Sequence, residues 1–194
     1  QPDYFRDAPL GIHTLRGQAY LADVSRARRF ADANRRAIAA AIGKVVEKVT
    51  GASLCWETAI GVDHNHVARE EHDGRLLWVH RKGAMGLVPG EPGVLPGSMG
   101  TLSYHVEGRG EPTALRSSAH GAGRLMSRST ARRGVTLKDL GEQMRGVWYD
   151  YRHADGLRDE APSAYKDIRA VLRAQHDLVK VTRTLRPVLN YKGV

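Results

Sequence analysis

The chain has 194 residues, enough for one sizeable core and short for two full domains. Its 30 Lys and Arg against 21 Asp and Glu give a formal charge of +9, which suits an anionic partner such as nucleic acid or nucleotide, or simply a soluble basic surface. A single cysteine, Cys55, excludes an intrachain disulfide framework and points to a reducing, cytoplasmic setting, and no apolar stretch approaches the roughly 20 residues of a membrane-crossing helix.

The first residues, "QPDYFRDAPLG", have no charged region followed by an apolar one, so they do not form a signal peptide; they read as the edge of a longer chain. Over residues 15–49 the apolar positions Leu21, Val24, Phe30, Ile38, Ile42, Val45 and Val49 recur mostly three or four apart, which predicts a long amphipathic helix ended by Gly51. Its polar face carries Arg26, Arg28, Arg29, Arg35 and Arg36, either solvated or set against RNA. "LCWETAI" and "RLLWVHRKGAMGLV" are rich in branched and aromatic residues and predict strands, with "DHNHVAREEH" between them. A Pro- and Gly-containing loop, residues 88–100, leads into a short strand, "TLSYHVEG". "LMSRSTA" and "TLKDLGEQMRG" predict short helices, the second with Thr136 as N-cap. "SAYKDIRAVLRAQHDL" predicts a helix capped by Ser163, and "VKVTRTLRPVLNYKG" is strand-like. Helix and strand mix without regular alternation, so the expected class is α+β.

Chemistry concentrates in a few places. "DHNHVAREEH" sets His64, His66 and His72 among Asp63, Glu70 and Glu71, donors suited to a divalent metal, although the spacing matches neither a zinc finger nor a zincin helix. If that segment is extended, His64 and His66 point the same way. In "SSAHGAGRLMSR", residues 117–128, Gly121 and Gly123 allow backbone N–H groups to converge on an anion, and Arg124 can add a planar fork to a phosphate. Between them, His120 is a nucleophile when neutral and can form a phosphoramidate at phosphorus; the alternative is an exposed histidine in a glycine turn. "GSMGT" at 97–101 is a second small-residue turn, and "HRKGA" sets Arg81 and Lys82 at a strand end.

In order and spacing, "HNHVAREEH", "VHRKGA", "LPGSMGT", "SSAHGAGRLMSR", "DEAPSAYKDI" and the terminal "YKG" resemble the motifs of the RtcB family of RNA ligases. The resemblance runs from about Leu15 to the end, and makes residues 1–194 the C-terminal portion of a single catalytic domain. It implies an enzyme that joins RNA ends bearing a 3′-phosphate or 2′,3′-cyclic phosphate to 5′-hydroxyl ends, with GTP and manganese, in tRNA splicing or RNA repair. His120 is then the residue that becomes guanylylated, and His64 a metal ligand. Asn65 contacts the guanylate, and Lys82 and Arg124 handle phosphate. Ser98, Tyr165 and Lys192, with Gly121, Ala122 and Gly123 of the His120 motif, line the nucleotide pocket. His66 stands where the family is often apolar or aromatic and is left out of the ligand set.

Motifs of the family that hold further metal ligands do not occur in these residues, and Cys55 in "SLCWE" does not match the family's cysteine ligand. Cys55 is therefore expected to be a core or near-surface thiol. A missing N-terminal part of the same protein is the expected partner for metal binding and ligation, and apolar surface is expected to be exposed without it. The RNA substrate and any activating protein stay unspecified. Two other readings are a metal-dependent phosphoesterase, needing no GTP, and a non-catalytic RNA-binding fragment.

Overall fold

The computed structural model describes residues 10–192; the opening segment and the last two residues, Gly193 of the terminal "YKG" motif and Val194, lie outside it. Helix α1 (Leu15–Thr50) begins where the Thr14 side chain accepts the Gly17 N–H at 3.0 Å, and it ends at Gly51, left-handed with φ 71°. Only Gly17 and Gly43 are buried along its length. Two arginines of its polar face, Arg28 and Arg35, both reach Asp63, which corrects the choice between solvent and RNA for that pair.

"LCWETAI" is not a strand. Its middle is a single 3₁₀ turn, Trp56–Thr58, and its aromatic residue packs on α1: a Cβ on Gly43 would lie 2.7 Å from the Trp56 ring. The first strand is instead β1 (Asn65–His72), within the polar cluster. It pairs antiparallel with β2 (Arg75–Lys82) through a tight turn, Asp73-Gly74, with φ of 50° and 71°. Strand β3 (Ala84–Gly86) pairs with β6 (Ser117–Ala119), which delivers the loop at His120. The Pro- and Gly-containing loop holds a strand of its own, β4 (Pro92–Leu95), in a three-stranded antiparallel sheet of order β4-β5-β8, with β5 at Ser103–Gly108 and β8 at Val179–Leu185. The one parallel pair among the described strands joins β7 (Trp148–Tyr149) to β9 (Leu189–Asn190).

Helices α2 (Arg128–Gly134) and α3 (Leu137–Gln143) follow the site loop, and α3 starts with a complete capping box between Thr136 and Asp139. After α4 (Ala154–Leu157), the predicted helix at Ser163 starts later: α5 spans Ile168–Ala174 and is capped by Asp167. Tyr165 is extended because it bridges Arg124. One long helix, several short ones and small, mainly antiparallel sheets make the fold α+β. Two apolar clusters hold it together. One gathers Met85, Leu95, Tyr104, Val106 and Ile168 under the three-stranded sheet; the other gathers Met99, Leu140, Met144 and Leu157 between the helices. Among the described residues no helix is long and apolar enough to cross a membrane.

Candidate active site

At the open end of the β1–β2 hairpin the chain leaves Lys82 through Gly83, whose φ of 70° favours glycine. The Gly83 N–H is shared between the carbonyl of His64 at 2.8 Å and Oδ1 of Asn65 at 3.0 Å. Its carbonyl accepts from His120 Nδ1 at 2.6 Å. A carbonyl oxygen can only accept, so in the neutral ring the proton sits on Nδ1 and Nε2 carries the lone pair. His64 stacks on this imidazole, with centroids 4.8 Å apart and planes 13° from parallel. Partial burial, then the neighbouring His120 and Arg35, outweigh Asp63 and hold the His64 pKa below the usual histidine range.

Asp63, one residue earlier, is fixed by Arg28 Nε at 2.9 Å and Arg35 Nη2 at 2.8 Å. Burial would raise its carboxyl, but these two guanidinium hydrogen bonds prevail and keep it below the usual carboxylate range. His64 and His66 do not point the same way. His64 lies in a bend before β1, while His66 turns into a cavity lined by Arg28, Glu70 and Arg81, with Nε2 3.4 Å from Arg81.

Past His120 the glycine loop is stitched to two other segments. The Ala122 N–H donates to Pro96 O at 3.0 Å, and Gly123 O accepts from Lys166 N at 3.0 Å. Gly123, at φ 73°, faces open space. In the 97–101 turn, Ser98 N–H and hydroxyl both lie on Thr101 Oγ1, at 2.7 and 2.9 Å. Gly97 is required there, since a Cβ would lie 2.2 Å from the Leu102 carbonyl oxygen.

Arg124 forms the centre of a second cluster. Its guanidinium donates to Met126 O at 3.0 Å, Tyr165 Oη at 3.1 Å and Asp159 O at 2.5 Å, and it lies 4.9 Å from the Tyr165 ring centre. Tyr165 donates onward to Glu160 Oε2 at 2.5 Å, where Lys192 Nζ also sits at 3.5 Å. Burial, then the bond to Glu160, raise the Tyr165 pKa. Arg124 thus has its three guanidinium nitrogens on Met126, Tyr165 and Asp159, instead of standing free toward a phosphate.

The profile of the family described as tRNA-splicing ligase RtcB matches residues 7–193. The chain belongs to the RtcB family. The RNA-splicing ligase RtcB of Escherichia coli strain K12 is 38% identical over 180 residues, covering 90% of this chain and 43% of the relative. The RNA-splicing ligase RtcB of Mycobacterium tuberculosis is 34% identical over 203 residues, 94% of this chain and 46% of the relative. The tRNA-splicing ligase RtcB of Nanoarchaeum equitans is 36% identical over 202 residues, 91% of this chain and 42% of the relative. The chain therefore spans less than half the length of these curated relatives.

Of the residues singled out by the RtcB resemblance, the structure stacks His64 on His120 and sets Asn65 and Lys82 beside Gly83, which holds His120; it joins Tyr165 to Arg124, with Lys192 on the shared Glu160. The loop Gly121-Ala122-Gly123 joins the two groups, with Ser98 in the adjoining turn. Sequence reasoning missed Gly83, Asp63 and Glu160 as organisers. Glu160 was within reach, because it stands in the "DEAPSAYKDI" motif. Manganese does not fit this chain's donors alone: among the described residues no group of three or more His, Cys, Asp or Glu converges, and His64 is the one ligand the RtcB resemblance would assign here. Cys55 is exposed and free.

Proposed function

We propose that this chain carries the nucleotide-transfer centre of an RNA ligase that joins 3′-phosphate or 2′,3′-cyclic phosphate RNA ends to 5′-hydroxyl ends through a guanylylated His120, in tRNA splicing or RNA repair. The observation that carries the reading is the fixed tautomer of His120. With Nδ1–H held by the Gly83 carbonyl, the neutral ring presents its lone pair at Nε2, which has no partner among the described residues. RtcB membership and relatives named as RNA-splicing ligases support the RNA chemistry.

In this reading Nε2 forms a P–N bond to the α-phosphorus of GTP while the α–β anhydride breaks and pyrophosphate leaves. An RNA 3′-phosphate oxygen then takes the guanylate, freeing His120, and a 5′-hydroxyl displaces GMP. The lowered pKa of the stacked His64 disfavours a positive charge beside the His120 ring. Lys82, exposed with no side-chain partner among the described residues, offers a cation to the phosphates. Gly121 and Gly123 offer backbone N–H groups, that of Ala122 being held by Pro96, and Tyr165 and Lys192 offer a wall for the base. A manganese ion would require ligands from outside the described residues.

The test is labelling by GTP radioactive at the α-phosphate, with manganese, of the 194-residue chain alone and mixed with a polypeptide supplying the rest of the family's length. An acid-labile, alkali-stable label lost in His120→Ala is the expected result. A folded sample that takes no label in either condition would move the function to a phosphoesterase or an RNA-binding protein.

A further inference from the structure

A groove of about 840 Å³ lies beyond Tyr165, between the 100–102 turn, the segment after α3, the start of α5 and the end of β8. Leu102, Val147 and Ile168 give it an apolar floor, and Arg145, Lys166, Arg169 and Arg186 line it, all four exposed. No ion pair engages any of these cations among the described residues, whereas Arg28, Arg35, Arg81, Arg124, Arg128, Arg132, Arg152 and Arg158 all hold carboxylates. The one acid in the lining, Asp167, accepts the Arg169 N–H at 2.9 Å as the cap of α5.

We propose that this groove is the track on which single-stranded RNA lies by its phosphates as it approaches His120. Four unpaired cations drawn from three separate segments suit a chain of phosphates, and three are guanidinium forks that match phosphate oxygens in two places at once. The Ser163 hydroxyl lies in the same lining and adds a neutral donor. Tyr165 lines the groove and its hydroxyl is fixed on Glu160 beside Lys192, so the track runs directly up to the second cluster of the site. The direction of travel rests on the RNA-joining reading; the binding of RNA in the groove does not.

The experiment is fluorescence anisotropy of the 194-residue chain with a labelled 12-nucleotide single-stranded RNA between 50 and 200 mM salt. Four phosphate contacts correspond to a log–log salt slope near ~−2.8, about a 50-fold loss across that range. Arg145→Gln/Arg169→Gln/Arg186→Gln is expected to flatten the slope by about 2 and weaken binding more than tenfold at the low-salt end. Arg26→Gln/Arg29→Gln/Arg36→Gln, which removes the same charge from α1, is expected to change binding less than twofold. The pair Lys166→Gln/Arg186→Gln gives an independent reading should the triple variant fail to fold by circular dichroism. Equal losses from groove and α1 variants, no RNA binding by the unmodified chain, or competition by polyglutamate as effective as by RNA would each overturn the proposal. Guanylylation without RNA is expected to be unchanged in the groove variants, so failure of the track and failure of the His120 reading are told apart.

Discussion

Arg81 and Lys82 are neighbours in sequence and opposites in environment, because a strand turns successive side chains to opposite faces. Arg81, 5% exposed, donates to Glu70 at 2.5 and 2.8 Å, to the Ser117 hydroxyl at 2.9 Å and to the Leu115 carbonyl at 2.8 Å. It pins β2 to the strand that delivers His120, so Arg81→Leu, which leaves Glu70 without its cation, is expected to cost about 3–5 kcal/mol in urea unfolding. Those hydrogen bonds from Arg81 hold the Glu70 carboxyl down to about 2. A carboxyl depressed in the folded state binds its proton more readily when unfolded. Its stabilisation is therefore complete above the unfolded value near 4.5 and is lost as pH falls toward 2. Glu70→Gln is expected to flatten the stability profile across that window, read by urea titrations at successive pH values. The pattern of residue types in "VHRKGA" shows two cations at a strand end; only the strand register says which one is buried.

At the scale of elements, the caps were the most legible features. Thr136 and Asp139 stand three apart before an apolar run, and the structure closes both halves of the box, at 2.9 and 3.1 Å. Thr136→Ala is expected to lower stability by about 1 kcal/mol, measured by thermal unfolding. Strand β1 was hidden by its composition, since "NHVAREEH" looks like a polar metal cluster; the decisive signal was the Asp73-Gly74 turn that pairs it with β2. "LCWETAI" misled in the other direction. Its branched and aromatic residues cover a glycine on α1 and have no strand to pair with. Ser163 failed as a cap because Tyr165 must stay extended to meet Arg124. Motif residues of the site could be read because each motif is local in the chain. The cationic groove could not, because its four cations converge only when the 145, 166–169 and 186 segments meet.

The whole molecule exposes 13386 Å², well above the roughly 9,100 Å² expected of a folded monomer of 21.4 kDa. Helix α1 accounts for much of the apolar part, with Phe30 75%, Ile42 57%, Val45 61% and Val49 77% exposed. The chain is expected to bind an apolar dye and to self-associate as concentration rises. Ile42→Lys/Val45→Lys is expected to reduce both, measured by dye fluorescence and light scattering. The periodicity of residues 15–49 foretold the helix and its stripe, but a stripe does not name its cover. Arg28 and Arg35 grip the same carboxylate two helical turns apart, which prevents the helix from swivelling on a single contact. From Arg35 to Thr50 the helix is an arm of about 22 Å, so a tilt of about 3° at Asp63 appears as about 1 Å at its tip. Pressure on the tip is returned, demultiplied, to the residue beside Asp63. The imidazole resonances of His64 are thus expected to shift when a partner seats on residues 38–49.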